Sequence, residues 1–193
     1  SLNTLLAELV DLSKVESPTL VPVLEDVSIK DFFEDIAAML APKFEQEELS
    51  LEIEVAESIS TVLADRHLLE RALVNLIGNA IRHTPNGGKI ILGAFVENEG
   101  ICLDVSDTGE GIPEHIANSL FDRHVQGGHN DSMNGSKKKF GLGGLGLSIV
   151  KKIVELHGGV ISVLPRKPCG TTFRIRIENY RFRQSRMGDQ PHA

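Results

Sequence analysis

The chain has 193 residues, 41% hydrophobic and 24% charged, with 27 acidic against 20 basic side chains and a net charge of −7. That length fits one domain with extensions, and the acidic balance, with no basic stripe along any predicted helix, excludes a nucleic-acid footprint. Two cysteines, Cys102 and Cys169, are too few for a disulfide framework and suit a reducing compartment, and no apolar run approaches the ~20 residues of a membrane span.

Residues 2–16 place Leu2, Leu5, Leu6, Leu9, Leu12 and Val15 near a three–four spacing, the seam of a packed or coiled helix. The run is too short to be stable alone and reads as the end of a longer helix. "SPTLVPVLEDV" follows as a linker or edge strand, because its prolines exclude a helix. Ser28 and Asp31 suggest a capping box opening a helix on Phe32, Phe33, Ile36, Leu40 and Phe44, which Pro42 should bend. "LSLEIEV" alternates as a half-buried strand.

Asp65 is the expected N-cap of a strongly amphipathic helix over residues 66–83. "PNGG" is a turn, and "KIILGAFV" and "ICLDVS" read as antiparallel strands joined by "ENEG". "PEHIANSLF" is a short predicted helix with Pro113 near its start. Residues 122–140 are polar and rich in glycine, without periodicity, as a long functional lid would be. "GLGLSIVKKIVELHGG" is a second amphipathic helix closed by Gly158 and Gly159, and "VISVLP" and "TTFRIRI" finish as strands. Residues 178–193 read as a polar, disordered tail or linker. The expected fold is α+β: a two-layer α/β sandwich whose mixed, mostly antiparallel sheet is covered on one face by helices.

Of the 18 glycines, 13 fall within residues 100–170, where backbone approach or left-handed conformations are therefore needed. In "DVSDTGEGIP" a strand delivers Asp107 to its end, and Gly109 and Gly111 turn the chain past it; an ordinary Asp–Gly turn is the alternative. In "FGLGGLGLSIVKK" the glycines lead straight into a helix, whose free N-terminal N–H groups suit phosphate. The run lacks the Gly-Lys-Ser/Thr ending of a Walker loop, and a flexible linker is its alternative. Asparagine is a poor helix-interior residue, yet Asn75 and Asn79 lie one turn apart in the best predicted helix and share a narrow stripe with Arg82. Amide oxygens suit a hard cation such as magnesium, and a guanidinium suits phosphate.

Together and in this order, these motifs resemble the ATP-binding catalytic domain of sensor histidine kinases, from about Leu2 to Ile177. "ERALVNLIGNAIRHT" is similar to the family's asparagine box, "DTGEGI" and "GLGGLGLSIV" to its two glycine boxes, "SLFDRHVQG" to its phenylalanine box, and "GTTF" to its threonine-bearing strand. "LLAELVDLSKVES" resembles the C-terminal end of the dimerisation and phosphoacceptor hairpin, which makes residues 1–17 hairpin and 18–177 catalytic domain.

The resemblance implies a Bergerat-type fold with an ATP pocket between helices and sheet. In it Asp107 would accept the adenine amino group and Gly111 would let the base approach. Asn79 would ligate magnesium with Asn75 beside it, Arg82 would touch phosphate, and Gly144 and Gly146 would cradle phosphate through backbone amides. Thr172 would support the adenine end. Gly109, Ile112, Lys139, Gly141, Gly143, Leu145 and Leu147 complete the implied nucleotide contacts, with Lys137 and Lys138 adding charge in the lid.

The wider superfamily includes ATP hydrolases that carry a glutamate one turn before the metal-binding asparagine. Here that position is Asn75, whose amide cannot take a proton from water. None of the seven histidines sits in the family's phosphoacceptor setting, so this chain is expected to bind ATP without autophosphorylating, with its acceptor hairpin upstream. Leu142 and Gly143 replace the usual Gly and Thr/Ser of the second glycine box, and His83 stands where Tyr or Phe is common. The implied partners are ATP, a second copy through the hairpin, and a response-regulator receiver domain; the expected location is cytoplasmic, with any membrane anchor upstream. The alternative is a degenerate docking module that regulates another kinase.

Overall fold

A computed structural model describes residues 20–98, 100–113, 117, 120–121, 144–178 and 180–182. The elements in chain order are β1 (Glu25–Ser28), α1 (Ile29–Gln46), β2 (Ser50–Val55), β3 (Ile59–Ala64), α2 (Arg66–His83), β4 (Lys89–Glu97), β5 (Gly100–Asp107), α3 (Gly144–Leu156), β6 (Val160–Pro165), β7 (Thr171–Ile177) and β8 (Tyr180–Phe182). Five strands form the main sheet in the order β2-β4-β5-β7-β6, and three form a smaller one, β1-β3-β8. Only the β2–β4 pairing of the main sheet is parallel; β4–β5, β5–β7 and β6–β7 are antiparallel. The helices pack on one face, so the expected two-layer α/β sandwich is the fold observed.

The core lies between these layers. Leu69, Leu73, Leu76 and Ile77 of α2 share one buried cluster with Ile149, Val150 and Ile153 of α3 and with Ile101, Leu103 and Val105 of β5. β5 is buried at every residue because it is central in the sheet and backed by α2. Alternation then sends Cys102, Asp104 and Ser106 to the far face. There Arg174 of β7 forks onto both oxygens of Asp104 at 2.9 Å and stacks 4.6 Å above the Phe95 ring.

Local signals set most boundaries. Asp65 caps α2, its Oδ1 accepting from the Leu68 N–H at 3.0 Å. Gly158, at φ +67, ends the turn after α3, and the Gly159 N–H returns to the Val154 carbonyl. Ser28 occupies the cap position of α1, but its side chain makes no capping bond, so the expected capping box is not formed. The polar tail is corrected at its start: Tyr180–Phe182 pairs with β3. β3 itself has no counterpart among the predicted elements, because the short "ISTVLA" run carries no clear period and its two partners lie far away in the chain. The hairpin end at 1–17 and the lid at 122–140 lie outside the described residues. Of the short helix after Pro113, Ala117 is described as helical, its N–H bonded to the Pro113 carbonyl.

Burial pushes the Cys102 thiol up to about 11, whereas Cys169 is exposed. Cys102 is therefore protonated and shielded at neutral pH. Titration with an aromatic disulfide reagent at neutral pH should count one fast thiol per native chain and two in denaturant. Cys169→Ser should remove the fast phase, and survival of that phase would contradict the assigned burial.

Candidate functional site

The site begins at the end of β5, where Asp107 is only 3% exposed. Its Oδ1 accepts from the Gly109 N–H at 2.8 Å and from the Thr171 N–H at 3.2 Å. No protein donor among the described residues reaches Oδ2. Burial pushes the carboxyl above its ordinary range, against the two backbone donors and the charges of His83 and Arg166. Glycine makes this packing possible. A Cβ on Gly109 would collide with the His83 carbonyl, and one on Gly170, at φ +114, with the carbonyl of Asp107 itself.

Asp107 lines a small pocket of about 20 Å³, together with Asn79, His83, Gly111, Ile112, Thr171 and Phe173. Ile112 and Phe173 supply apolar walls. Asn79 and His83 each bring a buried nitrogen without a hydrogen-bond partner among the described residues, Asn79 Nδ2 and His83 Nε2. Such orphans cost about 1–3 kcal/mol each, and a polar ligand in the cavity would relieve that cost. Burial and the neighbouring Arg82 charge lower the His83 pKa, opposed by Asp107 and Glu110.

The polar stripe of α2 divides in two. Arg82 Nη2 donates to Asn79 Oδ1 at 2.9 Å, so these two act as a unit at the cavity. Asn75 Nδ2 donates back to the Arg71 carbonyl at 2.8 Å, and its oxygen faces α3: a Cβ on Gly146 would lie 3.0 Å from Asn75 Oδ1. Asn75 thus sits at the α2–α3 seam, outside the lining of the cavity. Gly144 and Gly146 occupy the first turn of α3, where N–H groups lack intrahelical partners. Leu147 is buried in the core, so any ligand contact there is through its backbone. Leu145 lies in the same turn. Lys139, Gly141 and Gly143 lie outside the described residues.

Thr172 is a correction. Its hydroxyl bonds that of Ser106 at 2.8 Å on the far face of the sheet, away from the cavity. Thr171, one residue earlier, faces the cavity and bonds Asp107. In a strand, neighbouring residues point to opposite faces, and the register Ser106↔Thr172 decides which threonine faces inward. Thr171 and Phe173 were missed for that reason. The signal that could have found them is parity with Asp107, read back along β7.

The donor set decides what the site could hold. Among the described residues no group of three or more His, Cys, Asp or Glu could bind a metal ion. One amide with an adjacent guanidinium fits a divalent cation only as the companion of a polyphosphate, which supplies most of its ligands along with water. The Asp107 oxygen and the apolar walls fit a planar base bearing an amino group.

A family model described as "Histidine kinase-, DNA gyrase B-, and HSP90-like ATPase" matches residues 64–181. The sensor protein DivL of Caulobacter vibrioides is 30% identical over 170 residues, covering 88% of this chain and 21% of DivL. This chain thus spans about a fifth of that relative's length. Full-length ShkA, crystallised in complex with AMPPNP, superposes with a TM-score of 0.77 at 23% identity, covering 93% of this chain and 36% of that one. Histidine kinase ThkA, in complex with response regulator protein TrrA, superposes with a TM-score of 0.72 at 22% identity, covering 91% of this chain and 47% of that one. At those identities the two structures establish the shared fold. The family match over most of the chain, together with the sheet, helices and glycine-framed aspartate it spans, leads to one assignment: this chain belongs to the histidine kinase-, DNA gyrase B- and HSP90-like ATPase family.

Proposed function

We propose that this domain binds ATP in the Asp107 cavity and transfers its γ-phosphoryl group to a histidine on a dimerisation hairpin, for relay to a response-regulator aspartate. The observation that carries the reading is the buried Asp107 carboxylate: one oxygen is tied to two backbone amides, and the other is left to the cavity. That oxygen accepts the adenine amino group, with Gly111 giving the base room and Ile112 and Phe173 against its faces. The phosphates extend toward Arg82 and the first turn of α3, where Gly144, Leu145 and Gly146 offer backbone donors. Lys139, in a lid over 122–140, and Gly141 and Gly143 just after it would extend this cradle.

Asn79 would hold magnesium once Arg82 turns from its amide oxygen to phosphate. Held there, the ion would neutralise charge on the phosphates. In the transfer, the bond from the γ-phosphorus to the ADP oxygen breaks, and a bond from an imidazole nitrogen forms as that ring loses its proton. Asn75 offers no base to activate water, which favours transfer over hydrolysis. Pairing through the hairpin, a receiver-domain partner and a cytoplasmic site belong to the same reading. No helix among the described residues is long and apolar enough to cross a membrane. Nothing observed favours the docking-module alternative.

Calorimetric titration with AMPPNP, with and without magnesium, tests the reading. Binding should require magnesium for full affinity and weaken about 10- to 100-fold in Asp107→Asn, the loss of a charge-assisted hydrogen bond of about 1.5–3 kcal/mol. A folded wild-type domain that does not bind would leave the docking module instead. Thr172→Val should leave affinity within about 2-fold, whereas Asp107→Asn shows the full loss; a large Thr172 effect would contradict the assigned strand face. No phosphohistidine should form on this chain after incubation with ATP.

Stability gives a further check with a definite sign. A carboxyl whose folded pKa is raised contributes stability below its unfolded value, about 3.9, and loses it as pH rises through the raised value. An asparagine in place of Asp107 would keep an acceptor for the Gly109 and Thr171 amides and carry no charge. In urea melts Asp107→Asn should therefore match or exceed wild type at pH 7, with the gap shrinking toward pH 4. A variant clearly less stable at pH 7 would contradict the burial argument.

A further inference from the structure

The segment entering the domain is fastened to the residue that starts the asparagine helix. Leu20 packs against the core, whereas Val21 and Val23 are each 77% exposed. The Val23 N–H nevertheless donates to Asp65 Oδ2 at 2.9 Å. Asp65 uses its other oxygen to cap α2, and its own N–H donates to His157 Nε2 at 2.9 Å. His157, buried just after α3, has Nδ1 at 2.7 Å from the Ile153 carbonyl. The two bonds require a neutral ring with its proton on Nδ1. Three pieces of chain therefore meet at one aspartate: the entering segment, the start of α2 and the end of α3.

The same two helices approach closely further along, where a Cβ on Gly146 would lie 3.0 Å from Asn75 Oδ1. Asn75 lies ten residues beyond Asp65, and Gly146 lies eleven before His157. At 1.5 Å per residue these spans are about 15 and 16 Å, so the helices run antiparallel between two matched anchors. Asn79 and Arg82 belong to α2, and the glycine-rich first turn to α3. Their alignment thus depends on the Asp65–His157 anchor at one end and the Asn75–Gly146 approach at the other.

We propose that Asp65 is a positioning residue that couples the entering segment, through the Val23 N–H, to the alignment of α2 and α3 and hence to nucleotide affinity. The engaged segment favours the nucleotide-bound arrangement. This rests on the reading of the Asp107 cavity as a nucleotide site. Linkage then requires the converse: nucleotide must tighten the Val23–Asp65 bond by the same factor by which that bond tightens nucleotide binding.

Two variants separate this coupling from simple support of the fold. Asp65→Ser keeps a capping oxygen for Leu68 but has no second oxygen for Val23. Val23→Pro deletes the donor and leaves Asp65 untouched. AMPPNP affinity is measured for wild type and both variants, alongside hydrogen exchange at the Val23 amide with and without AMPPNP. We expect wild type to bind, both variants to bind about 5-fold more weakly, and AMPPNP to slow Val23 exchange about 5-fold in wild type and not in Asp65→Ser. Wild-type binding with unchanged affinity in Val23→Pro, or with Val23 exchange insensitive to AMPPNP, overturns the coupling alone. Absence of wild-type binding overturns the nucleotide reading and the coupling with it. Should Asp65→Ser fail to fold, Val23→Pro and the wild-type exchange still decide.

Discussion

A carboxylate buried at the end of a central strand is expensive unless donors come to it, and the domain is arranged around satisfying Asp107. Two backbone amides do so, from Gly109 in the loop after β5 and from Thr171 at the start of β7. Both must approach closely from opposite sides. That approach dictates the glycines: Gly109 passes beneath the end of α2, and Gly170 passes over the backbone of Asp107. The sheet order follows the same demand, because β7 must lie beside β5 for its first residue to arrive there. What remains is a single carboxylate oxygen facing a cavity with apolar walls, a specific acceptor in a setting that otherwise favours a flat, weakly polar group.

The asparagines of α2 show how a helix tolerates poor residues. Asn75 returns its amide hydrogen to the carbonyl one turn back, and Asn79 is held by Arg82 one turn ahead. The two do different work. Asn75 sets the distance to α3, where glycine at 146 leaves space for its oxygen. Among the described residues the Asn79 amide nitrogen, buried beside the cavity, has no partner, a cost the fold bears at the site itself. One asparagine thus lies at a helix seam and the next, one turn on, at the pocket.

The far face of the sheet is satisfied internally. Asp104 and Arg174 form a two-bond pair stacked on Phe95, and Ser106 pairs with Thr172. These polar residues keep the uncovered side of the sheet from needing a helix of its own. They also explain why a threonine at 172 is structural although it adjoins one that lines the pocket.

The α2 boundaries, the β4–β5 hairpin, the end of α3, the delivery of Asp107 to the end of β5 and the shared stripe of Asn79 and Arg82 were legible in the sequence. Each rests on a signal carried within a few residues: a capping aspartate, a tight turn, a left-handed glycine, a helical stripe. Tertiary structure alone decided the parallel pairing of β2 with β4, the small sheet of β1, β3 and β8, the face on which Thr171 rather than Thr172 lies, and the attachment of Val23 and His157 to Asp65. These depend on register and contact between segments distant in the chain. A one-residue shift in strand pairing exchanges the two faces without altering any local pattern, so nothing within "GTTF" itself could say which threonine points inward.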